Sequence, residues 1–128
     1  MRQPSAIVQE WWERAEHDML TARIAVRGNA PTDTVLMLLQ QGAEKYLKGY
    51  LLGKGWRLKK THDLRLLLDE AIEYDRSFEA FKELGRILTG HYVEYRYPAG
   101  ALLMYDVDET AGLLQQTEEL IEKVKTSI

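Results

Sequence analysis

Apolar residues recur at helical spacing along almost the whole chain, and the interruptions fall at glycine, proline or capping residues. From Ala6 to Arg27, Trp11, Ala15, Met19, Ala22 and Val26 follow at intervals of three or four, which predicts an amphipathic helix. Gly28-Asn29 supplies a stop, and Pro31 suits the first turn of the next helix. That second helix, about Thr32 to Leu52, carries a wide apolar stripe: Val35, Leu38, Leu39, Gly42, Ala43, Tyr46, Leu47, Tyr50 and Leu51. Glu44 and Lys48 are expected as an i,i+4 ion pair on its wet side, with Gly53 and Gly55 closing it. Thr61 is the expected N-cap of a third helix, DLRLLLDEAIEYD. Asp75 or Ser77 should cap a fourth that runs through FEAFKELGRILTGHYVEY, and Pro98 and Gly100 mark a loop after it. Asp106 with Glu109 has the spacing of a capping box for the last helix. The fold class that follows is all-α, an up-and-down bundle of four or five helices with short connections.

A chain of 128 residues accommodates one domain spanning 1–128 and can bury a core without covalent staples. Cysteine is absent, so disulfides and thiolate metal sites are excluded. No apolar run reaches the roughly 20 residues of a membrane span, and the N-terminus lacks a signal-like stretch. A soluble, cytoplasmic protein is the expectation.

The net charge of −3 conceals an uneven distribution. Between Lys45 and Arg65 there are seven basic residues (Lys45, Lys48, Lys54, Arg57, Lys59, Lys60, Arg65) and a single acid, Asp63. The segment from Asp106 carries six acids against Lys123 and Lys125. Two solvated faces of opposite sign explain this simply, and a local anion-binding patch is the sharper alternative.

Several chemistries are missing. There is no Gly-rich phosphate loop. His17, His62 and His91 lie on separate elements without metal-ligand spacing, so no metal and no cofactor is expected. Ser5, Ser77 and Ser127 offer no hydrolase elbow. The Trp11-Trp12 pair suits core or dimer packing better than base stacking. Gln40-Gln41 and Glu44-Lys45 read, on periodicity, as polar-face residues.

Four local patterns nevertheless stand in a fixed order: W-x-x-x-A-x-x-D (Trp11, Ala15, Asp18), QQGAEKYLKGYL (Gln40 to Leu51), THDL (Thr61 to Leu64) and YRYP (Tyr95 to Pro98). Together they resemble the HEPN domain, the higher eukaryotes and prokaryotes nucleotide-binding domain, in its RYP-containing branch. The resemblance covers about residues 8 to 125 and implies a four- or five-helix bundle that usually forms a homodimer. It implies two kinds of function. One is a metal-independent endoribonuclease, often a toxin, that uses an Arg–x4-6–His motif and works beside a minimal nucleotidyltransferase as antitoxin. The other is a non-catalytic nucleotide- or RNA-binding or partner-binding domain. Whether this chain is an enzyme therefore turns on one motif.

Arg86 and His91 have the Arg–x4–His spacing. Histidine can take the proton of an RNA 2′-hydroxyl, and arginine can hold phosphate oxygens in the transition state. Two positions depart from the active pattern: Ile87 follows the arginine where a polar residue is usual, and Val93 replaces a tyrosine two residues beyond the histidine. On a straight helix, residues five apart diverge by about 140° and about 7.5 Å along the axis, so catalysis would require two chains sharing one groove. The simpler account makes Arg86 a surface charge paired with Glu83 and His91 an interface or rim residue. Arg96 and Tyr97, with Lys45 and Lys48, form a second candidate set for nucleotide or RNA binding through phosphate contacts and stacking. Alternatively, Arg96 pins the helix end by meeting Glu44 or another inward acid. The favoured function is an accessory component of a toxin–antitoxin-like pair; the endoribonuclease and a purely structural dimerisation module are the alternatives.

Overall fold

Among the described residues five α-helices follow the predicted spacing: α1 (Ala6–Arg27), α2 (Thr32–Gly53), α3 (Leu64–Tyr74), α4 (Lys82–Arg96) and α5 (Val107–Thr126). A short 3₁₀ helix, Arg76–Phe81, leads into α4. The computed structural model describes residues 4–96 and 105–128, without the side chains of 93–96. Among the described residues there is no strand, and no helix is long and apolar enough to cross a membrane. The expected loop at Pro98 and Gly100 lies outside them.

Three of the helices begin at a side-chain cap. Ser5 caps α1 by accepting from the backbone N–H of Val8. Asp106 and Glu109 form the expected capping box at α5, each satisfying a backbone donor of the other. Three expectations are corrected. Pro31 occupies the N-cap position of α2 instead of its first turn. The cap of α3 is Asp63, whose carboxylate accepts from the Arg65 N–H. Thr61, expected there, instead accepts from the Asp63 N–H at 3.1 Å. Asp75 caps the 3₁₀ turn and not a continuous fourth helix. Phe78, fully buried within that turn, anchors it to the core.

Helix α2 is the axis of the bundle, with α1, α3, α4 and α5 all packed against it. Its stripe is wide because it meets neighbours on several sides, and Leu36, Leu39, Tyr46, Leu47, Tyr50 and Leu51 are all sealed from solvent. Burying each large apolar side chain of this kind contributes about 1.5–3 kcal/mol. Two glycines let α1 approach this closely. A Cβ at Gly42 would lie 2.6 Å from Met19 Sδ, and one at Gly49 would lie 2.8 Å from Trp12 Cδ1. Trp12 uses the space at Gly49, stacking obliquely on Tyr46 and donating its indole N–H to the Tyr46 carbonyl at 3.2 Å. Trp11 and Trp12 are both only partly buried, and of the two it is Trp12 that packs against the core.

Candidate functional site

Gln40, Glu44 and Lys48 follow one another at one-turn spacing along α2, and all three are buried. This corrects the expectation of a wet-side Glu44–Lys48 pair and of Gln40 as a polar-face residue. Lys48 Nζ donates to Glu44 Oε2 at 2.9 Å, with the two side chains 6% and 8% exposed. Gln40 Nε2 reaches Glu44 Oε1 at 3.2 Å and the backbone carbonyl of His62 at 2.7 Å. Glu44 Oε1 also meets His62 Nδ1, at 2.9 Å. A carboxylate taken out of water needs these donors, because a buried charge is tolerated only when paired and hydrogen-bonded.

The arrangement fixes the tautomer of His62. A carboxylate paired with an ammonium accepts hydrogen bonds and donates none, so the ring proton sits on Nδ1. Nε2 is then the ring nitrogen left outside that contact. The His62 side chain is 56% exposed, so it presents that nitrogen at the surface while its other face is held from within. Its ring lies 5.6 Å from that of Tyr92 on α4.

The basic segment before His62 is equally organised. Trp56 is buried, and its backbone N–H donates to the Leu51 carbonyl at 2.9 Å, folding the loop back on the end of α2. Lys54, Arg57, Lys59 and Lys60 are left exposed around that anchor. Lys59 pairs with Glu70 at 3.0 Å, and Lys54 lies over the Tyr50 ring.

The candidate catalytic pair is arranged differently. Arg86 is exposed and bonds Glu83, with Nε 2.9 Å from Oε2. Glu83 holds the guanidinium in its charged form, and the Glu83 carboxyl is in turn lowered by Arg86. Arg86 lines an open groove of about 360 Å³ with Arg65, Asp69, Lys82 and Glu83. In that groove Lys82 also pairs with Asp69. His91 is 3% exposed, with its ring edge-on to Tyr105 at 6.2 Å. Neither ring nitrogen of His91 has a hydrogen-bond partner among the described residues. One chain therefore presents Arg86 outward and encloses His91.

Of the second candidate set, Lys45 bonds Asp18 at 2.6 Å and lines a cleft of about 230 Å³ with Ile7, Glu10, Trp11 and Arg14. Lys48 is turned inward to Glu44, its ammonium 5.9 Å from the centroid of the Trp11 ring. Tyr97 and the side chain of Arg96 lie outside the described residues. Glu44, proposed as a contact of Arg96, is engaged by Gln40, Lys48 and His62. No group of three or more metal-ligating side chains occurs among the described residues.

A second ionic cluster braces α1 against α2 and α5. Arg23 bridges Glu16 and Glu118, while the Tyr46 hydroxyl donates to Glu16 at 2.6 Å. Burial, reinforced by Glu16, pushes the Tyr46 hydroxyl well above its ordinary range. Burial raises the Glu16 carboxyl, but the hydrogen bonds from Arg23 and Tyr46 outweigh it and the net shift is downward. These groups are locked into structural pairs.

The family model of the HEPN domain matches residues 8–127. No curated protein matches the chain. Among solved structures, it is similar to TT1696 from Thermus thermophilus, with 23% identity and a TM-score of 0.77 over 97% of this chain and 100% of that one. It is also similar to ST0689, an archaeal HEPN homologue, with 26% identity and a TM-score of 0.74 over 98% of each chain.

Proposed function

The chain belongs to the HEPN domain family, and from that premise we propose that it is a non-catalytic accessory component associated with RNA or nucleotides. On this reading it works as a cytoplasmic homodimer beside a minimal nucleotidyltransferase in a toxin–antitoxin-like pair. The observation that carries the non-catalytic assignment is the divergence along α4. Arg86 is exposed and bound to Glu83, whereas His91 is 3% exposed. A general base must reach the proton it removes, and a phosphate clamp must face the same atom. Within one chain these two side chains meet neither condition together. Exposed Leu20 and Ile24, one turn apart on α1, support a second copy or partner covering that helix.

The metal-independent endoribonuclease is the second reading, and one observation favours it. Neither nitrogen of the buried His91 ring has a hydrogen-bond partner among the described residues, and a buried polar group left so calls for an explanation, of which a catalytic role is one. In that reading a dimer rearranges α4 so that the two copies of Arg86 and His91 share a groove.

The test is incubation of the purified chain with RNA in EDTA, beside Arg86→Ala and His91→Ala. The accessory function predicts no cleavage by any form. Cleavage to 2′,3′-cyclic phosphate ends that both substitutions abolish would establish the nuclease instead.

A further inference from the structure

The connection between α2 and α3 combines two kinds of group that are unlike in chemistry and close along the chain. The first is the Nε2 atom of His62, whose residue is oriented by Glu44 at the ring and by Gln40 at the backbone carbonyl. The second is the run Lys54–Lys60, in which four cations are exposed with no acid between them. Within it Arg57 and Lys60 have no ion pair among the described residues, and Thr61 alone separates Lys60 from His62. The loop is held in shape by the buried Trp56 and by a hydrogen bond from the Thr61 N–H to the Lys59 carbonyl at 2.9 Å.

We propose that His62 and this loop form the docking site for a ribonucleotide chain, with Nε2 hydrogen-bonded to a ribose 2′-hydroxyl and Arg57 and Lys60 holding the flanking phosphates. The assignment rests on the RNA association proposed above and gives it a place. Its chemistry follows from what each group requires. Exposed lysine and arginine attract any polyanion. An imidazole nitrogen needs a hydrogen-bond partner, and an RNA backbone offers a hydroxyl, both donor and acceptor, beside a phosphate at every residue. A DNA backbone offers the phosphate without the hydroxyl. An acidic protein surface offers carboxylates to the cations but no hydroxyl repeated beside each charge. The ribose–phosphate repeat satisfies both halves of the site with one ligand.

The test measures fluorescence anisotropy of a labelled oligouridylate and its deoxy counterpart with the full-length chain, using polyglutamate as competitor. The oligouridylate should bind about tenfold more tightly than the deoxy chain, the worth of one good hydrogen bond. His62→Phe retains a ring against Tyr92 and should abolish that preference. Arg57→Ala combined with Lys60→Ala should weaken both oligonucleotides and reduce the salt dependence by about two phosphate contacts. Circular dichroism confirms that each variant is folded, and both changes are at exposed positions. Equal affinity for the two sugars, or a preference that survives His62→Phe, overturns the site. Polyglutamate that competes as well as RNA would identify an acidic protein surface and overturn it too. RNA binding indifferent to both variants removes the site and leaves RNA association standing, whereas no RNA binding by the unaltered chain removes both.

Discussion

Thr89 Oγ1 accepts the backbone N–H of Leu64 at 3.0 Å, tying the middle of α4 to the first residue of α3. The bond is buried, and it joins two of the most distinctive stretches of the sequence, RILTGH and THDL. A helix leaves its first N–H groups without intrahelical partners, and one buried against a neighbour must find an acceptor there. Thr89 is that acceptor, so the interior of the Arg–x4–His segment serves the fold.

Replacing Thr89 with valine should therefore destabilise the protein by about 1–3 kcal/mol, the range for stranding a buried donor. Thr89→Ser keeps the acceptor and should cost less. Urea denaturation midpoints of the two variants measure the difference; a loss in Thr89→Ser larger than in Thr89→Val would show that the methyl packing outweighs the hydrogen bond.

The buried Glu44–Lys48 pair makes a non-additive prediction. Glu44→Gln leaves the Lys48 ammonium in the core without its counter-charge and should cost about 3–5 kcal/mol. Adding Lys48→Met removes the stranded charge and should recover part of that loss. A double-mutant cycle tests it, and strict additivity of the two changes would mean that the charges do not act as a pair.

Two glycines on α4 should respond oppositely to alanine. A Cβ at Gly85 would lie 2.5 Å from Leu68 Cδ1, inside the sealed contact between α3 and α4, whereas one at Gly90 meets nothing within 4 Å among the described residues. Gly85→Ala should destabilise by about 1–3 kcal/mol through overpacking. Gly90→Ala should stabilise by about 0.5–1 kcal/mol through helix propensity. Thermal melts of the two variants would expose an error as a shared sign.

Acid should act partly through Asp75. Its carboxyl is held well below the usual carboxylate range, first by Lys123 and then by Ser77. A folded-state value below the unfolded one gives stability that is fully present above the unfolded value, about pH 3.9, and lost as pH falls through the folded value. The stability gap between the natural chain and Asp75→Asn should therefore be widest near neutrality and close in strong acid. A gap that widens below about pH 4 would reverse the sign of this linkage.

The helices were legible in the sequence because their signals are local: a repeat of three or four, a capping aspartate, a glycine stop. Asp106 and Glu109 form the box that their spacing implies. Thr61 and Asp63 are both good caps, and the choice between them depends on how α3 meets Thr89, which lies 25 residues beyond Leu64. The polar ladder of α2 was misplaced for a related reason. Gln40 and Lys48 both donate to Glu44, which also meets His62, inside the bundle, and periodicity assigns polar residues to water unless their partners are known. The available signal was their common four-residue interval beside a stripe already wide enough to be buried on several sides. Arg86 and His91 show the converse, since correct sequence spacing does not set two side chains facing one point.

The grip on His62 has a thermodynamic side. Gln40 holds its carbonyl and Glu44 holds its ring, so the residue has given up its rotational freedom before anything approaches. A ligand that meets a mobile surface histidine must first immobilise it, at a cost of about 0.5–1.5 kcal/mol for a freely rotating side chain. Here folding has already met that entropy, and the buried carboxylate that looks like a liability of the core becomes the source of preorganisation at the surface.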